Sequence, residues 1–246
     1  MKLAILTDIH ANREALTAVL EDQAARGCDA IAVLGDIVGY GPDPAWCVDR
    51  VRRLVAEGAI CVKGNHDAAA CGPGAPMNPT ARKAIDWTRT QLDAAQLEFL
   101  AHLPMTADLG DVMLVHASAE APADWIYITS ELKAVGAFRA TRARVILVGH
   151  VHVPLLVSAE MSGTVREQKA RSGLPVPLLR SRRWLAVVGS VGQPRDRNPA
   201  AGYAVYDSAA NELTFRKVPY DCAATARKVR AAGLPESLAL RLLSGD

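Results

Sequence analysis

The sequence contains little cysteine, its charges nearly cancel, and it has no long apolar run at its start. Five cysteines occur among 246 residues and none forms a C-x-x-C pair, so neither a disulfide framework nor a thiolate zinc site is indicated. The net charge of +2 is too small to predict charge-driven binding to nucleic acid or to a membrane surface. Asp8 interrupts the first apolar stretch well short of a signal or membrane-spanning segment. We therefore expect a cytoplasmic protein with reduced thiols and a small-molecule partner.

Half of the residues are hydrophobic, which is ample material for one core in a chain of this length. We expect a single domain over residues 1–246. Apolar periodicity in the first third predicts a strand at 2–7, a helix at 12–25, a strand at 30–34, a helix after Pro44 and a strand at 59–62. This βαβαβ order implies a parallel sheet.

The pattern changes further along the chain. Residues 71–79 predict a loop over the site, followed by helices at 80–91 and 94–101, a hairpin of 106–109 with 112–115, and strands at 155–157, 184–188, 203–206 and 213–218. Two sheets are implied, one partly parallel and one mostly antiparallel, with helices outside. The arginine-rich residues 160–183 predict a solvated surface loop, with a phosphate-attracting rim as the alternative. Residues 222–243 predict one or two amphipathic helices that pack back on the body.

Five short apolar runs each end in side chains of a metal-binding type. These side chains are Asp8 and His10, Asp36, Asn65 and His66, His116, and His150 and His152. Buried strands read as continuous apolar runs, and ligands in α/β sheets lie just beyond the carboxyl ends of such strands. The sequence therefore predicts that five strand ends converge on one site.

Each of these residues also has an ordinary structural explanation. Asp8 and Asp36 are suitable helix caps, Asn65 could hold a left-handed turn after Gly64, and a histidine at a strand end is often a hydrogen-bonded surface residue. Unrelated caps and turns, however, have no reason to follow five separate apolar runs. The combination favours a shared site.

The chemistry of the set suits two metal ions. Carboxylate, imidazole and amide oxygen without thiolate form a ligand set appropriate for manganese, iron, zinc, nickel or cobalt. The D-x-H and H-x-H spacings predict that alternate residues of an extended strand end point to the same side. Two neighbouring cations need a shared anionic ligand, and Asp36 is the candidate bridge.

These motifs, taken together and in order, resemble the calcineurin-like metallophosphoesterase family, whose blocks are D-x-H, G-D, G-N-H-D/E, a lone H and G-H-x-H. The resemblance covers residues 2 to about 154 by motif. It continues more loosely through GSVGQPRD at 189–196, which looks like the compact bacterial and archaeal branch. It implies an α/β fold, a four-layer α/β/β/α sandwich of two mixed sheets flanked by helices.

The resemblance also implies a ligand set and a mechanism. Asp8, His10 and His152 would hold one metal, Asn65, His116 and His150 the other, and Asp36 both. A hydroxide held by both metals would attack phosphorus, while His66 protonates the leaving oxygen or stabilises its charge. Asp67 would orient His66 or a nearby backbone group. Manganese is the ion expected to support activity in vitro.

Two departures from relatives bear on the substrate. GDIVGYGP lacks the Asp-Arg pair that follows this block in protein Ser/Thr phosphatases, so a phosphoprotein substrate is disfavoured. Ala117 follows the lone His116 where glycine is frequent, which could narrow the floor beneath the second metal. We expect a phosphoesterase that hydrolyses a small-molecule phosphodiester or phosphomonoester. A nuclease and a non-catalytic metal-binding scaffold or sensor are the alternatives, and the presence of His66 argues against a scaffold.

Three further residues are weaker candidates for substrate binding. Asn12 could touch substrate phosphate or serve as a helix N-cap, and the sequence favours neither. Arg195 could clamp a phosphate or pair with Asp196, the structural alternative being slightly favoured. Tyr40 could line the cleft or anchor a turn. His102 is expected to be exposed on a helix.

Overall fold

The computed structural model describes residues 1–246, which form twelve β-strands, eight α-helices and one 3-10 helix. The strands are β1 Lys2–Leu6, β2 Ala30–Val33, β3 Ile60–Cys61, β4 Thr106–Leu109, β5 Val112–Val115, β6 Val145–Val148, β7 Leu155–Ala159, β8 Val165–Gln168, β9 Val176–Pro177, β10 Arg183–Val187, β11 Ala201–Asp207 and β12 Glu212–Val218. The helices are α1 Arg13–Ala25, α2 Pro44–Ala56, α3 Asn65–Cys71, α4 Pro79–Gln91, α5 Ala94–His102, α6 Glu131–Ala140, α7 Cys222–Ala231 and α8 Glu236–Ser244, and Pro122–Asp124 form the 3-10 helix.

The strands form two six-stranded sheets, with the orders β3-β2-β1-β11-β12-β9 and β4-β5-β6-β10-β7-β8. In the first, β1, β2 and β3 are parallel, as the βαβαβ pattern predicts, and β11 pairs antiparallel with β1. In the second, β10 lies between β6, to which it is parallel, and β7, to which it is antiparallel. Each sheet has two parallel and three antiparallel pairings. Both sheets are therefore mixed and are more alike than the strand pattern predicts.

Alternation along the strands builds four layers. Leu3 and Ile5 of β1 pack in one apolar cluster with Leu147 of β6, between the two sheets. The intervening Ala4 and Leu6 pack instead with residues of α1 and α2 on the outer side. On the other outer side, residues of β6 and β10 pack against Ala134, Ala137 and Phe138 of α6. The order of layers is thus helix, sheet, sheet, helix, as the resemblance implies.

Three elements depart from what the sequence predicts. Residues 160–183 are not only a surface loop, because they contain the edge strands β8 and β9. Asn65 does not hold a left-handed turn but begins α3, which continues through Cys71 into the predicted loop. Helix α6 is absent from the sequence interpretation because its buried face consists mainly of alanine, which gives a weak apolar period.

Other parts of the prediction are confirmed. The hairpin of β4 and β5 has the predicted bounds, and α7 and α8 occupy the C-terminal region as expected. All five cysteines are free, although only Cys47 and Cys61 are fully buried and Cys71 is exposed. None of the helices has the length and apolar content needed to cross a membrane.

Candidate metal centre

The predicted ligands meet where the two sheets come together. They follow β1, β2 and β3 of the first sheet and β5 and β6 of the second, so all five strand ends converge. Asp8, His10, Asp36, His116, His150 and His152 are each at most 4% exposed. Asn65 is partly buried at the start of α3. Burial of so many ionisable groups in one place requires that each be paired or coordinated.

The backbone around the ligands is not extended, which corrects the explanation of the D-x-H and H-x-H spacings. Five ligand residues have positive φ angles, namely Asp8 at 53°, His10 at 47°, Asp36 at 53°, His150 at 67° and His152 at 66°. Backbone hydrogen bonds fix this shape, as in the His10 amide, which donates to the Asp36 carbonyl at 2.9 Å. Left-handed conformations are uncommon for any residue with a Cβ, although Asp and His adopt them more readily than most, and five in one site indicate that the surroundings impose them. The strain here lies at the centre itself.

Two glycines of the motifs are required because the centre approaches their backbone closely. A Cβ atom at Gly64 would collide with the Asp36 carboxylate and backbone amide. A Cβ atom at Gly149 would collide with the Thr7 hydroxyl and with Asp8 Oδ2. The glycines of G-N-H-D and G-H-x-H therefore leave room for the two aspartates.

One half of the centre contains Asp8, His10 and His152. The Nδ1 atom of His10 donates to the Val38 carbonyl at 3.1 Å, and that of His152 donates to the Gln193 carbonyl at 2.6 Å. Because a carbonyl only accepts, these bonds assign the proton to Nδ1 and leave a lone pair on each Nε2. The two Nε2 atoms are 3.1 Å apart. Facing lone pairs repel unless a cation lies between them.

The other half contains Asn65, His116 and His150. The Nδ1 atom of His116 donates to the Leu34 carbonyl at 2.7 Å, so its Nε2 also faces the centre. That Nε2 lies 3.2 Å from Asn65 Oδ1 and 3.2 Å from His150 Nδ1. His150 therefore presents Nδ1 to the centre, whereas the other three imidazoles present Nε2.

Asp36 lies between the two halves. Its Oδ2 is 3.6 Å from His10 Nε2 and 3.4 Å from His116 Nε2, while its Oδ1 accepts from the His66 amide at 2.8 Å. Asp8 instead directs Oδ1 to within 3.2 Å of His152 Nε2, and its Oδ2 accepts from the His150 amide. Asp36 is thus the carboxylate within reach of both imidazole sets.

The electrostatics of the centre favour a bound positive charge. Burial alone would raise the pKa of Asp36, but the His116 and His66 imidazoles hold it well below its usual range. Burial alone would lower the pKa of His116, but the Asp36 carboxylate raises it to about 9. Burial and the nearby His116 lower the pKa of His150 to about 3. A divalent cation at the centre would supply the positive charge that the buried carboxylates favour.

His66 and Asp67 lie beside the centre in different roles. Burial lowers the pKa of His66 to about 4, and its Nδ1 atom is buried with no hydrogen-bond partner. Asp67 does not hold that ring: it accepts from the amides of Ile37, Val38 and Gly64. Of the two functions expected for Asp67, the structure shows the backbone one.

The three weaker candidates are also near the centre. Asn12 caps α1 by accepting from the Ala15 amide, and its side-chain amide donates to the Gly192 carbonyl and the Tyr220 hydroxyl. Its N-cap function is therefore shown, and contact with substrate stays a prediction. The centroid of the Tyr40 ring lies 4.7 Å from that of His10, and Arg195 Cζ lies 5.7 Å from the centroid of the Tyr40 ring.

Arg195 does not pair with Asp196, which binds Lys217 at 2.6 Å instead. Its guanidinium donates to Gln193 Oε1 at 2.7 Å and leaves Nε without a partner. His102 is exposed at the end of α5, as predicted. Two aromatic residues that the sequence analysis did not predict for the site lie against its histidines, Trp125 against His116 and Tyr127 against His150. The signal that could have indicated them is their position in the chain, about ten residues after His116.

The donor set fits divalent metal ions. Three groups of imidazole and carboxylate ligands have their atoms within 4.8 Å of one another: Asp8, His10 and His152; His10, Asp36 and His66; and Asp36, His116 and His150. Asp8 Oδ1 is buried without a hydrogen-bond partner, as expected of an oxygen reserved for a cation. The second group includes His66, so geometry alone does not separate it from the ligands.

Comparison with known proteins identifies the family. Residues 1–211 match the family model of the calcineurin-like phosphoesterase superfamily domain. The chain belongs to this superfamily. Members of the superfamily are phosphoester hydrolases, and the chain carries the clustered metal-ligand residues that such chemistry uses.

Several relatives of this calcineurin-like phosphoesterase are similar over most or all of their length. A metallophosphoesterase from Sphaerobacter thermophilus has 42% identity and a TM-score of 0.88, with 100% of both chains covered. The uncharacterized protein MJ0912 of Methanocaldococcus jannaschii is 34% identical over 99% of this chain and 98% of its own. Phosphodiesterase YfcE of Escherichia coli is 26% identical over 85% of this chain and 88% of its own.

Proposed function

We propose that the protein is a phosphodiesterase that hydrolyses a small-molecule phosphate ester with two divalent metal ions, manganese being suitable in vitro. The observation that carries this proposal is the position of Asp36, whose Oδ2 lies within 3.6 Å of an imidazole Nε2 on each side. Two cations bound there would stabilise the transition-state charge and supply a nucleophile of lowered pKa. Asp8, His10 and His152 would hold one ion, Asn65, His116 and His150 the other, and Asp36 both.

The protein's own side chains would do the rest. His66 is an imidazole beside the centre whose Nδ1 is unpaired, and it would donate a hydrogen bond that stabilises the charge on the leaving oxygen or a proton to that oxygen. Asp67 accepts hydrogen bonds from the backbone amides of Ile37, after Asp36, and of Gly64, before His66. It would therefore keep Asp36 and His66 in fixed positions relative to each other. Arg195 and Tyr40, on the side of His10, would grip a phosphoryl oxygen.

A diester is favoured over a monoester. The basic side chain that contacts the ring of Tyr40 is a single arginine, Arg195, which suits a singly charged diester better than a dianion. The relative YfcE, whose name is phosphodiesterase, is consistent with this choice. The low net charge supports a small substrate rather than a nucleic acid, and five free thiols support a reducing compartment such as the cytoplasm.

The direct test compares bis(4-nitrophenyl) phosphate with 4-nitrophenyl phosphate under the same manganese concentration. We expect a catalytic efficiency for the diester at least comparable to that for the monoester. A preference of more than roughly tenfold for the monoester, about 1.4 kcal/mol in transition-state binding, would overturn the diester assignment. Binding of metal without hydrolysis of either ester would instead favour the scaffold or sensor.

A further inference from the structure

Two aromatic side chains border the half of the centre that contains His116 and His150. The Tyr127 ring stacks on the His150 imidazole with centroids 3.9 Å apart and an interplanar angle of 27°. Trp125 approaches the His116 ring at 5.9 Å and 72°, an edge-on arrangement. Tyr127 is nevertheless 51% exposed, which is unusual for an aromatic ring in contact with a buried centre.

The segment that carries these rings is held in place. Ile128, directly after Tyr127, is 1% exposed and belongs to the apolar cluster beneath the second sheet. Ser130 then caps α6 by accepting from the Lys133 amide. Trp125 has a φ of 53°, a left-handed conformation that is strained for a bulky residue. The backbone therefore fixes Tyr127 in a position that burial of its own ring does not require.

The position of Tyr127 is opposite the side chains that would grip phosphate. Tyr40 adjoins His10 in the other half of the centre, and Arg195 lies over the Tyr40 ring. Tyr127 contacts His150 of one half, and Tyr40 contacts His10 of the other. A phosphoryl group between the two halves would have Arg195 on one side and the exposed surface of Tyr127 on the other.

We propose that Tyr127, backed by His150 and flanked by Trp125, is a stacking surface for a planar aromatic group attached to the substrate phosphate. The stack on His150 covers one face of the phenol, and the exposed half of the residue is available to a second ring. The substrate class is then a phosphate ester that carries an aryl or nucleobase group. This inference rests on the proposed function, because it needs a phosphoryl group at the metal centre.

Tyr127 could alternatively serve only to hold the His150 imidazole. In that case its loss would weaken every phosphoryl ligand equally, because the defect would lie in the metal site. A stacking surface predicts a selective loss that affects planar groups and spares small or puckered ones. The two functions are therefore separable by ligand shape.

The test measures binding of phosphonates, which have no hydrolysable ester bond, to manganese-loaded protein by calorimetry. Phenylphosphonate and cyclohexylphosphonate match in size and differ in planarity, and methylphosphonate reports on the phosphoryl site alone. Benzylphosphonate and (cyclohexylmethyl)phosphonate, which carry one methylene group between phosphorus and the ring, are compared in the same way. They test whether the ring must lie further from the phosphoryl group to contact Tyr127. The variants are Tyr127→Leu, Tyr127→Phe and, as a control at an exposed residue of the β7–β8 hairpin, Met161→Ala.

We expect the wild type to bind the phenyl ligand about 3- to 10-fold more tightly than the cyclohexyl ligand, as stacked aromatic pairs do. Tyr127→Leu should abolish this ratio and leave methylphosphonate binding unchanged, while Tyr127→Phe and Met161→Ala should keep it. Equal binding of the two rings by the wild type, or a uniform loss for all ligands in Tyr127→Leu, would overturn the inference. Hydrolysis of bis(4-nitrophenyl) phosphate by the same manganese-loaded protein is measured separately, and its absence would overturn the proposed function and, with it, this inference.

Discussion

The histidines of this protein differ in what holds each ring: backbone carbonyls orient three of the four proposed ligand imidazoles, whereas the outer nitrogen of the fourth, His150, is buried without a partner. His10, His116 and His152 each donate Nδ1–H to a backbone carbonyl, which turns Nε2 toward the centre. His66 Nδ1 has no such partner. An imidazole nitrogen without a protein partner is free to form a hydrogen bond with a leaving oxygen during the reaction.

His66→Gln tests this distinction. The variant should retain two manganese ions per chain by elemental analysis while turnover of the diester falls by on the order of 10² to 10⁴, because only leaving-group assistance is removed. The thermal unfolding midpoint serves as the folding control. Loss of metal in proportion to activity would make His66 a ligand, as its place in one of the three ligand groups allows.

At the scale of elements, the short turn between β3 and α3 limits the space around the Asp36 carboxylate. Gly64 caps α3 at its N-terminus, where an added Cβ would strike Asp36. Gly72 caps the same helix at its C-terminus, where the nearest atom to an added Cβ is the Ala68 carbonyl oxygen at 3.8 Å, and its φ of −156° suits any residue. Gly64 and Gly72 therefore allow the same substitution to be compared at the two ends of one helix, with and without a collision at the centre.

Gly64→Ala should therefore reduce bound manganese and hydrolysis together, because Asp36 must move to accommodate the methyl group. Gly72→Ala should keep both. Metal content per chain and circular dichroism on the two variants give the comparison. Normal metal content in Gly64→Ala would show that Asp36 does not need its present position, and would remove the close-approach explanation of the G-N-H-D glycine.

A second element-scale contact docks the C-terminal helix α7 against α1. Glu14 accepts from Lys228 at 2.5 Å and from the Thr225 hydroxyl at 3.0 Å, and Lys228 also binds Asp43 at 2.8 Å. Burial alone would raise the pKa of Glu14, but the bonds from Lys228 and Thr225 lower it below its usual value of 4.5. The folded state therefore favours the ionised carboxylate.

Glu14→Gln should lower the free energy of unfolding by about 0.5–1 kcal/mol at neutral pH, a small value because the pair is partly exposed. A lowered folded pKa gives a contribution that is complete above 4.5 and is lost as the pH falls through the folded pKa. Urea unfolding at neutral pH and in acid should thus show a difference that shrinks in acid. Glu236→Gln, in an exposed pair with Arg230, is the control, and a pH-independent difference for Glu14→Gln would exclude the ionic explanation.

The sequence predicts some elements of this fold and not others, and the difference is whether a local pattern marks the element. The strands β1, β2, β5 and β6 are apolar runs that end in ligands, so both the strands and the site could be predicted. The pairing of β11 with β1 joins segments about 200 residues apart, and no local pattern encodes such a partner. The positive φ angles of Asp8 and His150 arise from the assembled site and could not be inferred from spacing.

At the scale of the whole molecule, the centre joins the two sheets. Asp8 and Asp36 follow strands of the first sheet, whereas His116, His150 and His152 follow strands of the second. Two cations shared across this boundary would hold the sheets together as well as perform chemistry, because a ligand that binds only the folded state stabilises it. The catalytic and structural consequences of metal binding are therefore linked.

The most direct measurement is a manganese titration of chelator-stripped protein, with hydrolysis of bis(4-nitrophenyl) phosphate as the readout. The stripped protein should be inactive, because the buried carboxylates and imidazoles cannot by themselves stabilise the transition-state charge. Activity should rise with added manganese and reach its plateau at about two ions per chain, since Asp36 lies between two ligand sets. Full activity without metal, or a plateau at one ion, would contradict a two-metal phosphoesterase.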